Sequence, residues 1–168
     1  MSNIDIYVID SSPDIVMTVG RALAIGDIGI SSVRNLAEQV GIACKGGDKV
    51  RELRISGHGS QYGQFIGGDW VCDVNIHEFA LHWAKLKTYF DPSCGLVTME
   101  GCKVGQAELL LVKMSHYLGV PVRGFRTFQN DFIPGDEGGE TRCIYYSCTR
   151  TTKGHTLYDE NATNGFSF

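Results

Sequence analysis

The chain has 168 residues, 43% of them hydrophobic and 20% charged, with a formal net charge of −4. That size and balance fit one globular domain, residues 1–168, able to bury its own core without staples. Lys and Arg are scattered from Arg21 to Lys153 rather than clustered, which argues against a nucleic-acid partner, and no apolar stretch approaches the roughly 18 residues of a membrane span.

In chain order, residues 4–9 read as a first strand, closed by the turn Asp10-Ser11-Ser12-Pro13. A helix is expected from Asp14, with Ile15, Val19 and Leu23 spaced by four, until Gly26 and Gly29 interrupt it. Residues 31–43 form a second helical stretch with Val33, Leu36, Ala37 and Val40 on one face. Residues 53–56 are a strand running into Gly57-His58-Gly59-Ser60, and the Gly-rich residues 63–68 predict a short hairpin ending at Trp70-Val71. Asn75 is the expected N-cap of a helix carrying Phe79, Trp83, Leu86 and Phe90. Residues 96–99 are a strand leading into Glu100-Gly101-Cys102, residues 106–118 a helix closed by Gly119, and residues 120–125 a fourth strand. Residues 126–141 read as a long loop and 144–147 as a late strand, with no clear period beyond Lys153. Alternating strands and helices predict an α/β fold: a mostly parallel central sheet with helices on both faces.

Six cysteines could pair, but a chain with this many apolar runs has no need of disulfides. The first residues lack the basic start and apolar core of a signal peptide. The expected location is therefore cytoplasmic, or exported without a cleaved signal peptide.

Open α/β sheets put their chemistry beyond the carboxyl ends of the strands. Two strands of this chain end in a reactive residue: one at His58, the other at Cys102. If those strands are parallel neighbours, imidazole and thiol reach the same rim. Glycines beside both residues allow sharp turns and close backbone approach. A free thiol has a pKa near 8.5, so a neighbouring imidazole is needed to supply thiolate at neutral pH. Cys102 also precedes a helix expected from near Gln106, whose N-terminus would favour negative charge. The backbone N–H groups of Gly59 and Cys102 are candidates for holding an oxyanion. Against this stands the ordinary reading of each residue alone, a core cysteine and a loop histidine.

The segments Leu53-Arg54-Ile55-Ser56-Gly57-His58-Gly59-Ser60 and Leu96-Val97-Thr98-Met99-Glu100-Gly101-Cys102 resemble the caspase-like (clan CD) superfamily of cysteine peptidases. The histidine-first order also suits that superfamily. Gly63, Ile66-Gly67 and Gly101-Cys102-Lys103-Val104-Gly105 narrow the likeness to bacterial domains: the self-processing protease domains of large toxins, and related domains of large surface proteins. The likeness covers residues 50–125. It implies a caspase-like three-layer sandwich, His58 as general base, Cys102 as nucleophile and Gly59 as an oxyanion donor. It also implies that Glu100, two residues before the nucleophile, lines the primary specificity pocket, with cleavage after Arg or Lys. Ser56, Arg126 and Phe128 complete the expected substrate contacts, the latter two in a loop beside the rim. The basic cluster used for inositol-phosphate activation is missing, so no cofactor is expected.

The partner implied is a protein or peptide substrate, in a bacterial effector, toxin or defence setting. Two other readings use the same residues: a non-catalytic caspase-like module that binds peptide, and a thiol acyltransferase or amidase acting on a non-peptide. No metal is expected, since Cys72, Asp73 and His77 lack a second ligand pair. Cys143 and Cys148, five apart in a strand, point to opposite faces. Nothing in the sequence indicates an oligomeric state.

Overall fold

The computed structural model describes residues 2–11, 28–126, 141–145 and 156–158. Among these, the strands β1 (Asn3–Asp10), β2 (Ile28–Ile30), β3 (Lys49–Ser56), β7 (Leu96–Met99), β8 (Val122–Phe125), β9 (Thr141–Tyr145) and β10 (Thr156–Tyr158) form one sheet in the order β10-β9-β8-β7-β3-β1-β2. Pairing from β2 to β8 is parallel, and β9 and β10 are antiparallel. A separate small sheet, β4 (Gly59–Ser60), β5 (Gly63–Ile66) and β6 (Asp69–Cys72), is an antiparallel meander between β3 and the next helix. The hairpin expected over residues 63–71 is therefore present as β5 and β6.

Three helices are described: α1 (Val33–Ala43), α2 (Ala80–Lys87) and α3 (Glu108–Leu118). They pack side by side, α1 on α2 and α2 on α3. Their buried residues, Leu36, Val40, Trp83, Leu86, Leu110 and Met114 among them, share one core with Val8, Leu53, Ile55, Val97, Met99 and Val122 of the sheet. Strand residues alternate between the two faces. The other face carries Tyr7, Arg54, Thr98 and Arg123, which lie opposite one another in register across β1, β3, β7 and β8. The helix expected from Asp14 lies outside the described residues.

Local chemistry explains where these elements begin and end. Ser32 caps α1, its Oγ accepting the Asn35 N–H at 3.0 Å, and Asp69 Oδ2 accepts the Val33 N–H at 2.9 Å. Asn75 does not cap a helix as expected. Its side chain accepts from the Cys72 N–H and donates to the Trp70 carbonyl, closing the end of β6 instead. The chain then makes a 3₁₀ turn, Ile76–Phe79, before α2 begins, and buried Trp83 donates its indole N–H to the Ile76 carbonyl at 3.0 Å. α3 ends on Gly119 in the left-handed conformation (φ 71°), as the sequence predicts. It begins at Glu108 rather than near Gln106.

β3 extends four residues upstream of the expected start because of a bulge against β1, where the register shifts between Ile4 and Asp5. The bulge lets Val50, Leu53 and Ile55 all reach the core and so breaks the alternation that marks a strand in sequence. The expected strand 120–125 is observed as β8; β9 meets the expected strand 144–147 at residues 144 and 145, with 146–147 outside the described residues. β2 and β10, short strands at the two sheet edges, were not expected from the sequence.

Candidate active site at the carboxyl edge of the sheet

β3 and β7 are adjacent and parallel, paired from Glu52–Leu96 to Ile55–Met99. One further hydrogen bond, from the Glu100 N–H to the Ile55 carbonyl at 2.9 Å, carries the two chains past their strand ends together. The His58 and Cys102 loops therefore leave the sheet at the same rim. They also touch. A Cβ built on Gly59 would lie 2.7 Å from Gly101 Cα and 3.1 Å from the Cys102 backbone nitrogen. These are backbone atoms that cannot swing aside, so only glycine permits this approach.

His58 and Cys102 are both half-buried, and the Nε2 of His58 is shielded from solvent. Cys102 is not part of a disulfide. Directly after it, Lys103 takes the left-handed conformation, φ 58° and ψ 7°, and is the one non-glycine positive φ among the described residues. The turn is closed by the Val104 N–H donating to the Gly101 carbonyl, and a 3₁₀ turn, Val104–Gln106, follows. This turn stands where the sequence predicts a helix N-terminus beside the cysteine. A helix dipole acts over its terminal turn, and α3 begins only at Glu108, six residues past Cys102.

On its far side the cysteine loop rests on β8. Gly105 packs against the Gly124 backbone, and Gln106 Nε2 donates to the Arg126 carbonyl at 2.6 Å. The backbone of Arg126 is thus beside the loop. Phe128 lies outside the described residues. Ser56, the last residue of β3, is 5% exposed and paired in register with Ile9, so it is buried rather than a surface contact for a peptide.

The expected role of Glu100 is corrected by its surroundings. Its side chain is 4% exposed and its carboxylate is already engaged: Tyr7 Oη donates to Oε2 at 2.5 Å, while Arg54 donates from Nε at 2.8 Å and from Nη2 at 2.7 Å to Oε1. Burial opposes the charge on Arg54 most strongly of any single influence, but the combined attraction of Glu100, Glu52 and Tyr7 outweighs it and holds the guanidinium pKa above its ordinary value. A carboxylate neutralised by an internal arginine does not also read an incoming cation, so the preference for Arg or Lys loses its stated basis. The same polar face continues through Glu52, which pairs with Arg123 at 3.0 Å and accepts from Thr98 Oγ1 at 2.7 Å.

The other described cysteines differ from Cys102. Burial pushes the Cys44 thiol pKa up, helped by Asp48. Cys72 bonds Asn75 Oδ1 at 3.4 Å, Cys94 is exposed on the β7 entry turn, and Cys143 is buried. Cys148 lies outside the described residues. Among the described residues no group of three His, Cys, Asp or Glu side chains is arranged to hold a metal, and no helix is long and apolar enough to cross a membrane.

Two buried groups at this rim carry no motif in the sequence. Asp10, 2% exposed at the end of β1, approaches Gly57. Gln64, wholly buried in β5, hydrogen-bonds the cysteine loop at the Gly101 N–H. The available signal for Gln64 is the strand alternation that sets it on the same buried face as Ile66. A cleft is lined by Gln61 and Tyr62 after β4, by Asp73 after β6, and by Gln106 to Leu110 leading into α3; Tyr62 and Leu109 are 68% and 61% exposed.

No family model matches the chain, and neither a curated protein nor a solved structure matches it.

Proposed function

We propose that this chain is a cysteine endopeptidase of the caspase-like class, with Cys102 as nucleophile and His58 as its base. The observation that carries the reading is the contact between the two loops: parallel neighbouring strands end together, and Gly59 lies directly on Gly101 and Cys102. A mostly parallel sheet with helices is also compatible with the three-layer sandwich, helices on both faces, which that resemblance implies.

In this reading His58 takes the thiol proton and the Cys102 sulfur adds to the scissile carbonyl carbon. The backbone N–H groups of Gly59 and Cys102 receive the oxyanion. As the intermediate collapses, the C–N bond breaks and His58 returns its proton to the leaving amine, leaving a thioester on Cys102. Water, deprotonated by His58, then releases the new carboxyl terminus and restores the thiol. In this reading the cleft bounded by Tyr62 and Leu109, whose lining follows each loop in the chain, offers surface for an extended part of the substrate.

The test is to incubate the purified chain with a proteome-derived peptide library and sequence the new termini. The reading predicts discrete cleavages that vanish in Cys102→Ala and in His58→Ala. Cleavage that persists in Cys102→Ala, or a wild-type chain that cleaves nothing yet binds library peptides, would replace it with the non-catalytic module. Release of small amides without cleavage of any peptide would favour the amidase reading.

A further inference from the structure

Gln64 has no exposed surface and spends its whole carboxamide on two backbone groups of the candidate site. Its Nε2 donates to the Ile55 carbonyl at 2.8 Å and its Oε1 accepts the Gly101 N–H at 2.8 Å. Ile55 lies in β3, the strand that leads to His58, and Gly101 immediately precedes Cys102. The amide orientation is fixed by chemistry, because only nitrogen can face the carbonyl and only oxygen can face the N–H.

The fit is close. A Cβ on Gly101 would fall 2.7 Å from Gln64 Oε1 and 2.9 Å from Gly59 Cα, so the amide and the histidine loop together enclose this residue. The next residue, Phe65, donates its N–H to the His58 carbonyl at 2.8 Å. One short strand therefore holds both halves of the site, the cysteine loop through the side chain of residue 64 and the histidine loop through the backbone of residue 65. A buried amide of this kind is expensive unless both ends are paired, and here both are.

We propose that Gln64 is a positioning residue: its carboxamide fixes the Cys102 loop against the end of the His58 strand and so sets the distance between sulfur and imidazole. The proposal rests on the reading of His58 and Cys102 as a dyad. It assigns the small sheet a task beyond covering the core, since a shift of β5 would carry the cysteine loop with it.

The experiment is the rate of Cys102 alkylation by iodoacetamide, followed by peptide mass spectrometry between about pH 5 and pH 9, in the wild type, Gln64→Leu, Gln64→Glu and His58→Ala. Gln64→Leu is expected to slow alkylation about tenfold near neutrality and to move the thiolate limb toward that of His58→Ala. A purely structural role would lower the unfolding midpoint without moving that limb. Gln64→Glu keeps the acceptor for Gly101 and, while protonated, the donor for Ile55. Its rate relative to the wild type is expected to be higher at low pH than at high pH, which carries the test if the leucine variant does not fold.

If His58→Ala raises the limb and Gln64→Leu leaves it in place, the dyad stands and the positioning role falls. A constant ratio of Gln64→Glu to wild type at all pH values overturns the role as well. A limb that is the same in the wild type and His58→Ala removes the dyad itself, and the proposal with it.

Discussion

Lys103 holds a left-handed backbone immediately after the candidate nucleophile, and an L-residue pays for that conformation with a close approach of Cβ to its own carbonyl. Lys103→Gly is expected to be neutral or stabilising by up to ~1 kcal/mol, and Lys103→Val destabilising by ~1–2 kcal/mol, measured by urea unfolding. Equal midpoints for the two variants would show that the turn is not under strain. Glu100 makes a second case. Glu100→Gln removes the charge that Arg54 faces and weakens hydrogen bonds to a charged group, a loss of about 1.5–3 kcal/mol. The same variant should leave the residue preference of any cleavage unchanged, because the carboxylate is committed inside the fold. A changed preference in the peptide library would return Glu100 to the substrate pocket. The sequence exposes Glu100 as a neighbour of Cys102 but hides its partners, since Tyr7 and Arg54 are distant in the chain and meet it only across the assembled strands.

At the scale of elements, the loop that feeds β7 is held by its own small network. Asp91 Oδ1 accepts from the Ser93 hydroxyl at 2.5 Å and from the Ser93 N–H at 2.7 Å, and the Gly95 N–H returns to the Asp91 carbonyl. These bonds, the hydroxyl first, lower the Asp91 pKa to about 2. A carboxylate depressed in the folded state stabilises fully above its unfolded pKa and loses that contribution as pH falls through the folded value. The Asp91 carboxyl should therefore titrate near 2 by NMR, and the stability difference between wild type and Asp91→Asn should shrink as pH falls from about 3.8 to 2. A difference that persists to the lowest pH would contradict this. Elements with a clean period were legible in the sequence: α1, with Val33, Leu36, Ala37 and Val40 on one face, and the alternating apolar strand β1. Others were hidden for identifiable reasons. The bulge opposite Asp5 disguised the start of β3, glycine and brevity disguised β2, and Asn75 was drawn from helix capping into the β6 turn by the Trp70 carbonyl.

Across the molecule, the site is a consequence of strand order. β3 and β7 are separated in sequence by the small sheet and α2, yet pair directly, so residues far apart in the chain share one rim. Their meeting was legible because each strand announces its own end with glycine and a reactive side chain. The scaffold around them was not, because Gln64 gains its meaning only when β5 folds over the Gly101 loop. The most direct measurement is the pH dependence of covalent labelling of Cys102 by a peptide electrophile in the wild type and His58→Ala. The account predicts a labelling limb that moves to higher pH when the imidazole is removed. Identical limbs in the two proteins would contradict it.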